Sequence, residues 1–310
     1  MEKNVDVVLA SYNGSSFIQE QIRSMIESDG FHRYVNRLIV SDDNSTDNTV
    51  SLINSFNSEV VDLYSNEHDG GVIGNFESAL SKSKSDYIIL SDQDDVWCHN
   101  KINVLLNGIK KTEVNRETPA LFFTDLKVVD ENLNVINESF WNHQQINPEL
   151  GLSLKGVLMQ NVSPGCAMII NRALLLKALP FGGDILMHDW WLLLIANEFG
   201  NVGYSRDATF LYRQHGANVV GAGSMTFREK VTRFINGKSD TFNRVLIQSK
   251  KLYNLLPKDS SNRGIVRSLI EVNDMTIWAR VGLALSLYDS RRCFQRNLAI
   301  IIRIIFFKKD

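Results

Sequence analysis

Three acids in four residues, Asp92-Gln93-Asp94-Asp95, follow the apolar run Tyr87-Ile88-Ile89-Leu90. Carboxylates crowded this closely repel one another, so a hard dication is their natural neutraliser. Oxygen donors of this kind suit Mg²⁺ or Mn²⁺ bridged to phosphates. The plainer explanation is a helix start, with Asp94 or Asp95 capping a helix over residues 97–111, but a cap does not need three acids. A second cluster, Asp42-Asp43-Asn44-Ser45-Thr46-Asp47, follows the apolar stretch 37–41. Thr46 and Asp47 suit a turn and an N-cap. Asp42 and Asp43 stand where a base or a ribose would offer hydrogen bonds. A third cluster, Ser11-Tyr12-Asn13, follows residues 5–10, and Tyr12 suits either a core aromatic or a ring stacked on a flat base.

All three clusters close a short, β-branched run. Strands are expected at 5–10, 37–41, 60–65 and 87–91, alternating with helices at 16–27, 47–56 and 75–83. That alternation argues for an α/β fold with a mostly parallel central sheet flanked by helices. Ligands of such sheets bind outside the carboxyl ends of the strands, where these polar clusters fall. Beyond a helix at 101–111 the pattern is mixed. Strands are expected at 120–124, 127–129, 166–170 and 209–214, with a buried helix at 190–199. The glycine-rich stretch 216–224 reads as a loop, giving a first domain over 1–224 and a helical appendage over 225–310, broken near 257–264.

The 310 residues, 44% of them hydrophobic and 22% charged, suit a globular chain with a large core and exclude a disordered or collagenous one. Cys98, Cys166 and Cys293 form neither a CxxC pair nor a disulfide framework, which points to a reducing compartment. The apolar run at the start is too short for a signal peptide. The net charge of −2 hides an asymmetry: from Met225 onward 17 Lys and Arg face 7 Asp and Glu. The run 298–307, flanked by Arg291, Arg292, Arg296, Lys308 and Lys309, is too short to span a bilayer. It suits an interfacial helix on anionic lipid, or else a helix packed on the protein's own core. No GxGxxG follows the first strand, and no GxxxxGK[ST], GxSxG or HExxH occurs, which excludes the usual nicotinamide, P-loop, serine-hydrolase and zinc-protease signatures.

Taken in order, Val8-Leu9-Ala10-Ser11-Tyr12-Asn13-Gly14, Val40-Ser41-Asp42-Asp43-Asn44-Ser45-Thr46-Asp47 and Leu90-Ser91-Asp92-Gln93-Asp94-Asp95 resemble family 2 glycosyltransferases. Those are inverting enzymes of the GT-A fold that use nucleotide-sugars. The run Asp92-Gln93-Asp94-Asp95-Val96-Trp97, with His188-Asp189-Trp190-Trp191 and Tyr212-Arg213-Gln214-His215-Gly216, resembles the bacterial rhamnosyltransferase branch. The resemblance covers roughly residues 4–220.

The resemblance implies roles for particular residues. Ser11, Tyr12, Asn13, Asp43, Asn75, Asp92, Gln93 and Arg213 would bind the nucleotide-sugar. Tyr12 would stack near the base, Asp43 would accept from its imide, Asp92 would meet the ribose, and Arg213 would assist the diphosphate. Asp94 and His215 would hold Mg²⁺ or Mn²⁺. Asp189 would be the general base, although an N-cap of the following helix accounts for it as well. Gly165, Trp190 and Trp191 would meet the acceptor, although a plain turn and a plain core explain them equally. The family often carries an Arg before the third helix; here Asp69-Gly70-Gly71-Val72-Ile73-Gly74-Asn75 has none, which puts more weight on the metal.

The expected activity is a metal-dependent inverting transfer of a sugar, L-rhamnose from dTDP-rhamnose, to a lipid-linked glycan in O-antigen or capsule synthesis. The expected place is the cytoplasm, peripheral at the inner membrane, with no nucleic-acid partner. A hexosyltransferase using UDP-galactose or UDP-glucose is the enzymatic alternative. A non-catalytic nucleotide-sugar binding module comes from another class, and Asp94 together with Asp189 speaks against it. An acidic phosphoreceiver domain is a further reading, but the chain is too long for it and has too many acidic strand ends.

Overall fold

A computed structural model describes residues 3–56, 59–215 and 240–307. In chain order the first half runs β1 (Val5–Ser11), α1 (Ile18–Ile26), α2 (Phe31–Tyr34), β2 (Val35–Asp42), α3 (Thr49–Asn54), β3 (Val61–Ser65), α4 (Val72–Lys82), β4 (Tyr87–Ser91), β5 (Val96–Trp97) and α5 (Lys101–Thr112). The second half runs β6 (Ala120–Val129), β7 (Val135–Asn137), α6 (Phe140–Gln144), α7 (Leu154–Val157), a 3-10 turn (Gly165–Ala167), β8 (Met168–Asn171), α8 (Arg172–Ala178), α9 (His188–Phe199) and β9 (Asn201–Arg213). Among the described residues four helices follow: α10 (Asp240–Leu255), α11 (Arg263–Ile270), α12 (Ile277–Leu287) and α13 (Phe294–Phe306).

The strands form one sheet in the order β3-β2-β1-β4-β8-β6-β9-β5, with β7 paired to β6. The parallel arrangement holds for β3, β2, β1 and β4. β4 is buried along its whole length, as expected of a strand covered by helices on both faces. Beyond β4 the sheet is mixed. β8 enters antiparallel to both β4 and β6, β9 runs parallel to β6, and β5 closes the edge antiparallel to β9. The two strands expected at 120–124 and 127–129 are one, β6, whose register against β9 shifts on both sides of Asp125. That irregularity interrupts the alternation and disguises the continuity.

The helical tail is built into the main core. Phe242, Leu252, Val266, Leu283, Ile300 and Ile304 belong to one hydrophobic cluster with Trp191 and Leu194 of α9. Phe307 packs edge-on against Phe242, with ring centroids 4.5 Å apart. α13 packs on the protein's own core along one face. Asn297, Ile300 and Ile304 face inward, while Phe294, Leu298 and Phe306 face outward. No helix among the described residues is long and apolar enough to cross a membrane. The stretch 216–224, expected as the boundary, lies outside the described residues.

Candidate active site

The ends of β1, β2 and β4 lie side by side, as parallel pairing requires. Ser11 Oγ donates to Asp42 Oδ1 (2.9 Å), and Asp42 Oδ2 accepts from the Ser45 amide (2.8 Å). Asn13 adopts a left-handed conformation (φ 46°), and its Oδ1 accepts from the Thr46 amide (2.8 Å). Asp47 accepts from the amides of Ser15 (3.1 Å) and Thr49 (2.9 Å). Desolvation opposes its ionisation, but hydrogen bonds from the hydroxyl and amide of Thr49 and then from Ser15 together hold Asp47 at about 2. Asp43 accepts from Asn66 Nδ2 (2.8 Å) and the Gly71 amide (2.6 Å), so its carboxylate secures the loop ahead of α4.

Tyr12 and Gln93 bind the β1 and β4 loops to each other. The Tyr12 amide donates to Gln93 Oε1 (2.9 Å), and Gln93 Nε2 donates back to the Tyr12 carbonyl (3.0 Å). A Cβ on Gly14 would sit 2.2 Å from Gln93 Oε1, so this approach requires glycine. The Tyr12 ring itself is 55% exposed.

The loop after β4 is a different environment. Asp95 is buried; its Oδ1 accepts from the Arg213 amide (3.1 Å), and its Oδ2 has no partner. Asp92 is hydrogen-bonded by the Cys166 thiol. Burial, then the neighbouring charge of Asp94, pushes Asp92 up to about 7. The same two causes, with Asp92 added, drive Asp95 well above the usual carboxylate range. Asp94 Oδ2 meets His215 Nε2 at 2.9 Å.

These residues fit a divalent ion. An orphaned buried carboxylate oxygen and mutual repulsion mark a site short of positive charge. Asp92, Asp95 and Cys166 place their ligand atoms within 4.8 Å of one another. Asp95 and Cys166 are each 1% exposed, however, and so lie beneath the loop. Asp94 and His215, with side chains 18% and 11% exposed, are the pair that reaches the cleft.

Asp189 is the second residue of α9 and lies inside its first turn; the N-cap is Met187. Its Oδ2 accepts from the Gly165 amide (3.1 Å) and its Oδ1 from the Trp190 amide (2.6 Å). Burial raises it to about 6, although hydrogen bonds from Trp190, Asn161 and Gly165 pull the other way.

Several expected contacts point inward instead. Trp191 is wholly buried and its indole donates to the Ala178 carbonyl (3.0 Å), so it is core and cannot meet an acceptor. Trp190 also spends its indole N–H, on the Val157 carbonyl (2.7 Å), and only a small part of its ring reaches the surface. Asn75 is buried, and its Nδ2 donates to the Ser11 carbonyl (2.9 Å), so it shapes the end of β1. Ser11 is buried likewise. The Arg213 guanidinium pairs with Glu20, donates to the carbonyls of Asp94 (2.9 Å) and Glu131, and lies over the Phe17 ring. It braces the acidic loop from behind.

Sequence reasoning passed over Lys101 and Cys166. Lys101 is fully buried; its Nζ donates to the Cys166 carbonyl (2.6 Å) and lies 4.0 Å from the Phe210 ring centroid. Burial lowers its ammonium to about 8, against the opposing pull of Cys166 and Asp95. The missed signal is spacing: Lys101 shares one helical stripe with Leu105 and Ile109, the inward face of α5.

A family model described as Glycosyl transferase family 2 matches residues 6–175. The chain is 27% identical to a dTDP-rhamnosyl transferase, RfbG, of Shigella flexneri, over 96% of this chain and 99% of that one. It is 26% identical to an Escherichia coli glucosyltransferase, WfgD, named for UDP-Glc and alpha-D-GlcNAc-diphosphoundecaprenol, over 64% of this chain and 71% of that one. Among solved structures, a mannosyltransferase of Pyrobaculum calidifontis in complex with GDP-Man and Mn²⁺ superposes with a TM-score of 0.60 at 13% identity, covering 100% of this chain and 89% of that one. S. aureus TarS 1–349 gives 0.56 at 15% identity, covering 98% and 81%. At these identities the two structures show a shared fold.

Proposed function

The chain belongs to glycosyl transferase family 2 and has its GT-A fold, and from that premise we propose that it transfers L-rhamnose from dTDP-rhamnose to a lipid-linked glycan, with inversion, in bacterial surface-polysaccharide synthesis. One observation carries the chemistry: the turn Gly165–Ala167 touches the acidic loop and Asp189 together. The Cys166 thiol reaches Asp92, the Cys166 carbonyl takes Lys101, and the Gly165 amide reaches Asp189. A sugar seated at that turn lies between a charge-starved loop and a carboxylate that is ionised at neutral pH.

In this reading the Tyr12 ring stacks on the base, Asp43 accepts from it, and Asp92 meets the ribose. Mg²⁺ or Mn²⁺ held by Asp94 and His215 would supply positive charge to the diphosphate. Asp189 removes the proton of the acceptor hydroxyl as its oxygen attacks the anomeric carbon. The new C–O bond forms on the face opposite the leaving group, and the electron pair of the breaking C–O bond departs with dTDP. The Gly165 turn and the exposed edge of Trp190 receive the acceptor. Residues 1–224 are read as the catalytic unit and 225–310 as the appendage, whose described helices from Asp240 onward share the core of the first.

The whole-length likeness to the dTDP-rhamnosyl transferase favours rhamnose. The shorter likeness to the UDP-Glc enzyme supports a UDP-sugar donor as the second reading. Nucleoside diphosphate release by the purified chain, with a synthetic lipid-diphosphate glycan, decides between them. Turnover of dTDP-rhamnose at least tenfold faster than of UDP-glucose or UDP-galactose is expected; the reverse order transfers the assignment to the UDP-sugar. A chain that releases no diphosphate from any donor is a binding module.

The same reading places the chain at an anionic membrane, on the cytoplasmic face of the inner membrane. Trp278, Leu285, Phe294 and Phe306 are exposed on α12 and α13, in a segment rich in Lys and Arg. Sedimentation with vesicles should require anionic lipid and weaken with salt.

A further inference from the structure

His188 opens α9 beside Asp189 and takes no part in the transfer chemistry proposed for its neighbour. It is 3% exposed, and neither Nδ1 nor Nε2 has a hydrogen-bond partner. The ring stacks on Phe76 of α4, with centroids 3.8 Å apart and planes at 21°. Phe76 follows Asn75, which holds the end of β1. On the other side, Nε2 lies 2.6 Å from where a Cβ on Gly165 would stand, so glycine is what lets the imidazole edge approach that turn. The imidazole thus stands between the donor-side helix and the turn that holds the proposed base.

A buried imidazole with two unpartnered nitrogens costs free energy that phenylalanine, filling the same stack, would not. Burial lowers His188 to about 3, so the ring is neutral and offers one donor and one acceptor. A polar group kept at such cost at the edge of a reaction site is explained if a ligand brings the missing partner. We infer that His188 is a substrate-binding residue of the transfer site, its imidazole hydrogen-bonding a sugar hydroxyl beside the Gly165 turn. This rests on the sugar-transfer reading and adds a contact that selects the sugar. The hydroxyl belongs either to the acceptor or to the donor sugar, and both present the same chemistry.

His188→Phe keeps the stack and removes both nitrogens; His188→Gln restores one hydrogen-bonding amide. Each is tested with whichever nucleotide-sugar the wild-type chain turns over, so an error in the donor assignment leaves this test intact. The Phe variant is expected to melt at or above the wild-type temperature and to lose about 10- to 100-fold in kcat/KM, the scale of one lost buried hydrogen bond. The Gln variant should recover part of that loss. A raised acceptor KM with unchanged donor Kd assigns the hydroxyl to the acceptor. A raised nucleotide-sugar Kd with unchanged nucleoside diphosphate Kd assigns it to the donor. Wild-type kinetics in a folded Phe variant overturn the inference. Nitrogen NMR of the wild-type imidazole provides a readout that does not depend on how the variants fold: its signals should move on adding substrate, and signals unmoved at saturation overturn it too.

Discussion

Two groups of carboxylates stand at neighbouring strand ends and behave in opposite ways. Asp42, Asp43 and Asp47, after β2, take hydrogen bonds from nearby hydroxyls, a side-chain amide and backbone amides. Asp92, Asp94 and Asp95, after β4, crowd one another, and one buried oxygen among them accepts nothing. Residue type is therefore a poor guide to role. Carboxylates that the chain satisfies from within hold loops in place, and of these only Asp43 is also given a ligand contact in the proposed reading. Those left crowded keep a demand for positive charge, which a proton meets at low pH and, in the proposed reading, a divalent ion meets at neutral pH.

The widest gap between building and reacting carboxylates should appear at Asp189. Asp189→Asn keeps the shape and one of the two acceptors for the Gly165 and Trp190 amides, sets an NH2 group against the other, and removes the proton sink. A 10²- to 10⁴-fold fall in kcat is expected, with donor Kd within about twofold of wild type by calorimetry. Normal transfer in a folded Asn variant would abolish the distinction. A related consequence is visible in pH. With Asp189 raised to about 6, kcat/KM should fall as the pH drops below about 6, because the protonated form accepts no proton.

Next comes Asp94→Asn, expected to cost about 100-fold in transfer at limiting Mg²⁺ or Mn²⁺. Chelator should abolish wild-type transfer, and added ion should restore it. Full activity in excess chelator would mean that Arg213 and Lys101 supply all the charge the loop needs.

Stability without divalent cation sharpens the contrast further. Asp92 titrates near 7 in the fold against 3.8 unfolded, so its protonated form favours folding. That contribution is complete below about pH 4 and lost as pH rises through about 7. Asp47 runs the other way: at about 2 in the fold, its contribution is present above about pH 4 and lost as pH falls through about 2. In chelator, the Asp92 contribution should make the melting temperature of the wild type decline between about pH 4 and 7, and Asp94→Asn should flatten that decline. A flat wild-type profile would show that the crowding is relieved within the chain.

The smallest effect belongs to the satisfied cluster. Asp47→Ala removes acceptors from the Ser15 and Thr49 amides and should cost about 1 kcal/mol, as lost caps do. Donor affinity should barely change. A donor Kd raised tenfold with little change in melting would move Asp47 from building to binding.

The parallel half was legible because each of its strands is a short apolar run closed by polar residues. The order beyond β4 was not. β9 carries Tyr204-Ser205-Arg206-Asp207 through its middle, which hides a thirteen-residue strand inside polar sequence. Asp94 stood out by the crowding of acids around it, Asp189 and His215 entered only through the resemblance to the family, and Lys101 resembled a surface charge. Trp191 and Asn75 show the converse. Their types suit a site, and only the packing around α9 and β1 shows that they face inward.

The reciprocal bonding of Tyr12 and Gln93 has a consequence for what the cleft can measure. It joins the loop that carries the exposed ring to the loop that carries Asp94, so the span between them is set before any donor arrives. A nucleoside diphosphate has a bounded reach from base to terminal phosphate, and in the proposed reading a preset gauge favours the conformers that match it without having to close. Inserting a single residue into either loop should therefore detune the gauge while leaving each of its marks intact.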